Sequence, residues 1–169
     1  MKIRDLILLL GTIAVLATVN VLIFQKEDLS TNGQTVLLEL GTVDPRSLMQ
    51  GDYMRLRYRI STEAHIKDGA GDGVMVIVLD TNRVAHYARS YNPQTPLAEN
   101  ELLLAYRQRS FDVYIGPESF FFQEGQAVYY NNARYAELRV SPSGEVLLVG
   151  LRGSTLQPLG PPKGSGSTD

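Results

Sequence analysis

The stretch LILLLGTIAVLATVNVLIF, Leu6 to Phe24, divides this chain into two kinds of structure. Nineteen consecutive positions carry no charge. At ~1.5 Å per helical residue the run spans roughly 28 Å, close to the ~30 Å hydrocarbon thickness of a bilayer. The run is expected to form a helix across a lipid bilayer, with everything after Gln25 built beside that membrane. A cleaved signal peptide is the rival reading. Its apolar region normally covers ~7–15 residues and ends in a small-x-small site. Here bulky residues, VNVLIFQKED, fill that place. A helix buried in a soluble core is the third reading.

The flanks set an orientation. Lys2 and Arg4 precede the run, whereas Lys26 after it sits beside Glu27 and Asp28. The positive-inside bias puts the N-terminus in the cytoplasm. The C-terminal part then lies in the periplasm, held by a single pass through the inner membrane. Residues 1–28 form the anchor, 29–34 a polar linker containing Asn-Gly, 35–159 one extracytoplasmic domain, and 160–169 a disordered tail rich in Pro, Gly and Ser. Roughly 140 residues beyond the anchor are enough for one domain with a real core. A net charge of −2 gives no basic excess for nucleic acid. The absence of cysteine rules out thiolate nucleophiles, cysteine metal sites and lipidation on cysteine.

Beyond the anchor the hydrophobic pattern has a period of two. In Tyr53 to Ile60, YMRLRYRI, apolar Met54, Leu56, Tyr58 and Ile60 alternate with Tyr53, Arg55, Arg57 and Arg59. That is the pattern of a strand with one buried face. TVLLELGTV (35–43) is a first strand, and GVMVIVLD (73–80) is a central strand covered on both faces. DTNR (80–83) makes a hairpin turn before VAHYARSY. The segment 101–109 alternates as a strand, with FDVYIG as its partner. SPSG (141–144) joins YAELRV to EVLLVGL as a terminal hairpin. Ala127, Val128 and Tyr130 fit a short helix. The fold class is therefore mainly β: an N-terminal transmembrane helix and a small antiparallel barrel or sandwich with one short helix. Phe120, Phe121 and Phe122 cannot all face one core from a strand, so at least one faces another surface.

Residues 51–58 read G-D-Y-M-R-L-R-Y. The string resembles the GDYXXLXY family of bacterial membrane-anchored proteins, with Gly51, Asp52, Tyr53, Leu56 and Tyr58 filling all five fixed positions. DPRSL before it, FFFQEG after it and ARYAELRVSPSGEVLLVGLRG at the end agree with that family. The resemblance implies a single anchor, an extracytoplasmic β domain and a multi-pass membrane protein as partner. It supplies no catalytic residues. Gly51 suits a turn needing positive φ, and Asp52 can accept backbone N–H bonds there. Asp44-Pro45 opens another turn, and Arg46 is placed to pair with Asp52. Either the whole string is a strand-opening turn that fixes register, or it is a binding site. The candidate binding residues are Asp44, Arg46, Gly51, Asp52, Tyr53, Arg55, Leu56 and Tyr58, with Phe121, Glu124 and Gly125 at a second corner.

Catalytic patterns fail one by one. Type I signal peptidases also place Gly-Asp on a β domain behind an anchor. Here Val43 would stand at their nucleophile position, and Lys67 is the only lysine between Lys26 and Lys163. His65 and His86 lie in no triad string and have no metal-ligand spacing. KDGAGDG lacks the acidic spacing and terminal Glu of a calcium loop, and GAGDG is not a nucleotide loop. No cofactor is expected. The leading expectation is a non-catalytic, membrane-anchored accessory or binding module. A cell-envelope glycan or peptide binder, using tyrosines and the Arg55/Arg57/Arg59 face, is the second. A hydrolase built on Asp44, Asp52 and Glu124 is the third.

Overall fold

A computed structural model of the chain describes residues 3–41, 49–50, 53–64, 71–109 and 112–162. Helix α1 (Ile3–Asn32) is long and apolar enough to cross a membrane. It continues through most of the segment expected to be a linker. The reason is local. Thr31 Oγ1 donates to the Glu27 carbonyl at 2.9 Å, and Asn32 Nδ2 donates to Asp28 Oδ1 at 2.7 Å. Leu29 is buried, so the last turn is fastened to the head. Asn32-Gly33 ends this helix: Gly33 N–H donates to the Leu29 carbonyl at 3.0 Å. A Cβ at Gly33 would run into that carbonyl and the Arg139 side chain, so glycine alone fits. Arg139 donates in turn to the Gly33 carbonyl at 3.3 Å.

The head is mainly β, an antiparallel half-barrel made by one curled sheet. Strand β1 (Gln34–Glu39) pairs with β9 (Tyr135–Val140), and β9 with β10 (Val146–Arg152). A second run orders β5 (Ala85–Ser90), β4 (Gly73–Leu79), β6 (Glu101–Arg109) and β7 (Asp112–Tyr114), all antiparallel. The two runs are stitched where Leu37 N–H donates to the Arg83 carbonyl at 2.9 Å. The hairpin tip between β9 and β10 reaches across to β6. Gly144 (φ +90°) accepts from Ala105 N–H at 2.9 Å, and a Cβ there would stand 3.0 Å from that same nitrogen. β4 is central, as its unbroken apolar run predicts, with Met75, Val76 and Ile77 buried. Met75 and Ile77 join Val36, Leu38, Leu104, Leu138 and Leu151 in the core cluster, and Val76 between them is buried outside it.

A smaller sheet orders β2 (Met49–Gln50), β3 (Tyr53–Arg55) and β8 (Ser119–Phe121). The segment 53–60 links it to the half-barrel. The burial alternation expected there is present: Met54, Leu56, Tyr58 and Ile60 are buried, and Arg55, Arg57 and Arg59 are exposed. The hydrogen bonding departs from one continuous strand. Tyr53–Arg55 pair with β8 and Leu56 N–H donates to the Glu118 carbonyl. The chain then changes partner: Arg57 accepts from Gly41 N–H, and Arg59 N–H donates to the Glu39 carbonyl. At Ile60 it turns into the single helical turn α2 (Ile60–Glu63). Periodicity reports which face is wet, and does not report which strand lies alongside.

Candidate surface site at the β3–β8 corner

Four candidate residues, Asp44, Arg46, Gly51 and Asp52, lie outside the described residues, as do His65 and Lys67. Four of the remaining candidates form two pairs. Leu56 and Tyr58 are each only 5 % exposed and face the core. Tyr58 donates its hydroxyl to the Pro117 carbonyl at 3.0 Å, and burial pushes its ionisation well above the usual phenol range. These two hold the segment in register and do not reach the surface.

Tyr53 and Phe121 form the second pair. They are register partners across the β3–β8 ladder, with ring centroids 5.7 Å apart. Phe121 is 74 % exposed. Its neighbours behave oppositely: Phe120 on β8 and Phe122 just after it turn inward. Phe120 and Phe122 pack on Tyr130, with centroids 5.0 Å and 5.3 Å away. Tyr130 ends the 3-10 helix η1 (Ala127–Tyr130) and is buried. The expectation that one of the three phenylalanines faces another surface is met by Phe121. Tyr130 falls in the short helix the sequence suggests, but its role of locking the other two is not legible there. The available signal was the 120/122 alternation, which needs one large partner on the inner side.

The same aromatic cluster carries more exposed apolar surface. Val128 and Tyr129 precede Tyr130 on η1, and both are exposed. Glu124 and Gly125 (φ +78°) form the turn between Phe122 and η1, and Glu124 points to solvent. Arg55 is exposed at the end of β3. Arg57 is exposed as well, whereas Arg59 is engaged by Glu39 at 3.1 Å and Glu63 at 2.8 Å. The three arginines therefore do not offer one uniform cationic face.

Another cluster was not visible as a motif. Arg89 holds both oxygens of Glu101, at 3.2 Å and 2.7 Å, and also donates to the Pro96 carbonyl. Glu101 accepts from Ala98 N–H. This clasp closes the two-proline loop between β5 and β6, and hydrogen bonding from Arg89 and then from Ala98 holds the Glu101 carboxyl below its usual range. His86 is exposed, 3.8 Å from Asp80. Among the described residues no group of three His, Cys, Asp or Glu is placed to hold a metal ion.

A search of curated proteins and a search of solved structures each found no match. A family model does match, over residues 15–151, beginning inside α1 and ending in β10. With its fixed tyrosine on an exposed corner and its fixed leucine and second tyrosine in the core, this chain belongs to the GDYXXLXY protein family.

Proposed function

We propose that this protein is a membrane-anchored, non-catalytic accessory module of the bacterial cell envelope, whose head binds a multi-pass membrane protein. The observation that carries the reading is the Tyr53–Phe121 ring pair. A phenylalanine 74 % exposed on a strand, backed by a tyrosine across the ladder and by a packed aromatic cluster behind, resembles an interface anchor more than a leftover of packing. Retention of α1 in the inner membrane, with the N-terminus in the cytoplasm, keeps the head near such a partner. Tethering of that kind raises the effective concentration, so a small interface suffices.

Purification of the full chain in mild detergent, followed by identification of what accompanies it, tests this. The expected result is a multi-pass membrane protein whose recovery falls for Tyr53→Ala and Phe121→Ala while head stability is kept. Equal recovery with either variant removes the corner from the interface. A mature chain that starts beyond Phe24, or a head that faces the cytoplasm, removes the anchored reading.

A further inference from the structure

In α1, Leu9, Ile13, Leu16, Asn20 and Ile23 recur at alternating spacings of four and three. That spacing places them on one stripe of a helix, the seam spacing of paired helices. The four apolar members are all about half exposed, at 49, 53, 56 and 50 %. Asn20 interrupts them with an amide. One Nδ2 hydrogen goes to the Leu16 carbonyl at 2.8 Å. Among the described residues, its other hydrogen and its Oδ1 have no partner. Thr18, by contrast, donates its one hydroxyl hydrogen to the Ala14 carbonyl. Asn20 stands four residues before the end of the uncharged run, about 6 Å inside hydrocarbon if that run spans the bilayer. An unmatched amide there is costly unless another polar group meets it.

The head does not occupy this stripe. Leu29, the helix residue buried against the head, follows Asn20 by nine positions, two and a half turns, and so lies on the opposite side of the helix. The Asn20 stripe is left open, and a second helix can lie along it with both heads turned outward.

We propose that the anchor pairs in the membrane with the anchor of a second copy of this chain, through Leu9, Ile13, Leu16, Asn20 and Ile23. An amide is its own complement, since it both donates and accepts. A second copy inserted in the same orientation brings its Asn20 to the same depth, and the two amides satisfy each other across a two-fold axis. No other occupant is guaranteed that match in depth. The proposal rests on the anchored reading of α1.

The chain has no cysteine, so single cysteines report the contact without background. In native membranes holding the full chain, Ile13→Cys, Leu16→Cys and Ile23→Cys are expected to give disulfide-linked dimers on mild oxidation. Val15→Cys and Leu22→Cys, on the other side of the helix, are expected to stay monomeric. Adding Asn20→Leu to Leu16→Cys is expected to lower association roughly five-fold, and Asn20→Gln to preserve it. Cross-linking of equal yield all round the helix, no dependence on Asn20, or capture of only a different protein at Leu16→Cys overturns the proposal. Alkaline carbonate washing separates the two ideas. A chain that washes off the membrane overturns the anchored reading and the pairing together, whereas a chain that stays but shows no stripe overturns the pairing alone.

Discussion

Strand β9 and strand β3 sit in sheets of the same hand-to-hand chemistry and opposite security. β9 is paired along its whole length on both sides, by β1 and β10, and Ala136, Leu138 and Val140 point into the core. β3 is three residues long and shares two register pairs with β2 and three with β8. The first arrangement resists opening because each hydrogen bond is shielded by buried side chains. The second owes its place to the inward residues that follow it, Leu56 and Tyr58, and to the Phe120–Phe122–Tyr130 cluster behind it. The difference separates what holds the head together from what the head presents, and local opening is expected to begin in the small sheet.

The largest effect belongs to the secure side. Leu138 is fully buried in the middle of β9, so Leu138→Ala removes transfer energy and leaves a cavity. A loss of about 2–5 kcal/mol in urea unfolding of the full chain in detergent is expected. A loss well under 1 kcal/mol would mean that β9 is not the spine of the fold. Tyr58 joins the two regions and tests their connection. Tyr58→Phe keeps the ring and removes the hydrogen bond to Pro117, with an expected cost of about 0.5–1.5 kcal/mol. The pH sign follows from burial. Because burial raises the ionisation of Tyr58 in the folded state, its contribution is complete below about pH 10, the ordinary phenol value, and declines as pH rises above it. Tyr58→Phe is therefore expected to flatten the alkaline loss of stability, measured against the parent chain.

A smaller effect is expected at the loop clasp. The Glu101 carboxyl is held below its ordinary value, so the clasp stabilises the fold above that value and is lost as the carboxyl protonates on acidification. Glu101→Gln is expected to remove this acid-side dependence and to speed amide exchange in the two-proline loop, with β4 unchanged. If β4 amides speed up equally, the clasp supports the sheet and not the loop alone.

The sequence disclosed the faces of the strands better than their neighbours. Alternation in 53–60 correctly marked Met54, Leu56, Tyr58 and Ile60 as inward, because burial depends only on which side a residue lies. It did not disclose that the backbone changes partner at Arg57, since both partners are remote in sequence. The DTNR and SPSG turns were legible because they are local: Asp80 accepts from Asn82 and Val84 N–H, and Gly144 supplies the positive φ. The end of α1 was not, because the polarity of Gln25–Gln34 hid one tertiary contact, Leu29 against the head. At the candidate site, the Phe120–Phe122 run announced an outward ring. Its pairing with Tyr53 rested on a register that only the folded chain supplies.

The smallest stability effect is expected at that pair, and its smallness is the point. Phe121 is mostly in water, so Phe121→Ala forfeits little burial and only part of a cross-strand contact worth about 0.2–1 kcal/mol. Tyr53→Ala removes the same contact from the other side. If the ring pair exists to brace the sheet, the double variant costs less than the sum of the singles by the size of that contact, and recovery of a membrane partner is unchanged. If Phe121 is an interface anchor, the thermal midpoint barely moves while partner recovery collapses, because truncating a central aromatic commonly costs 2 kcal/mol or more of binding, roughly thirty-fold in affinity. The two readouts move in opposite directions under the two readings, so one pair of variants, scored for both, decides whether the β3–β8 corner is scaffold or contact surface.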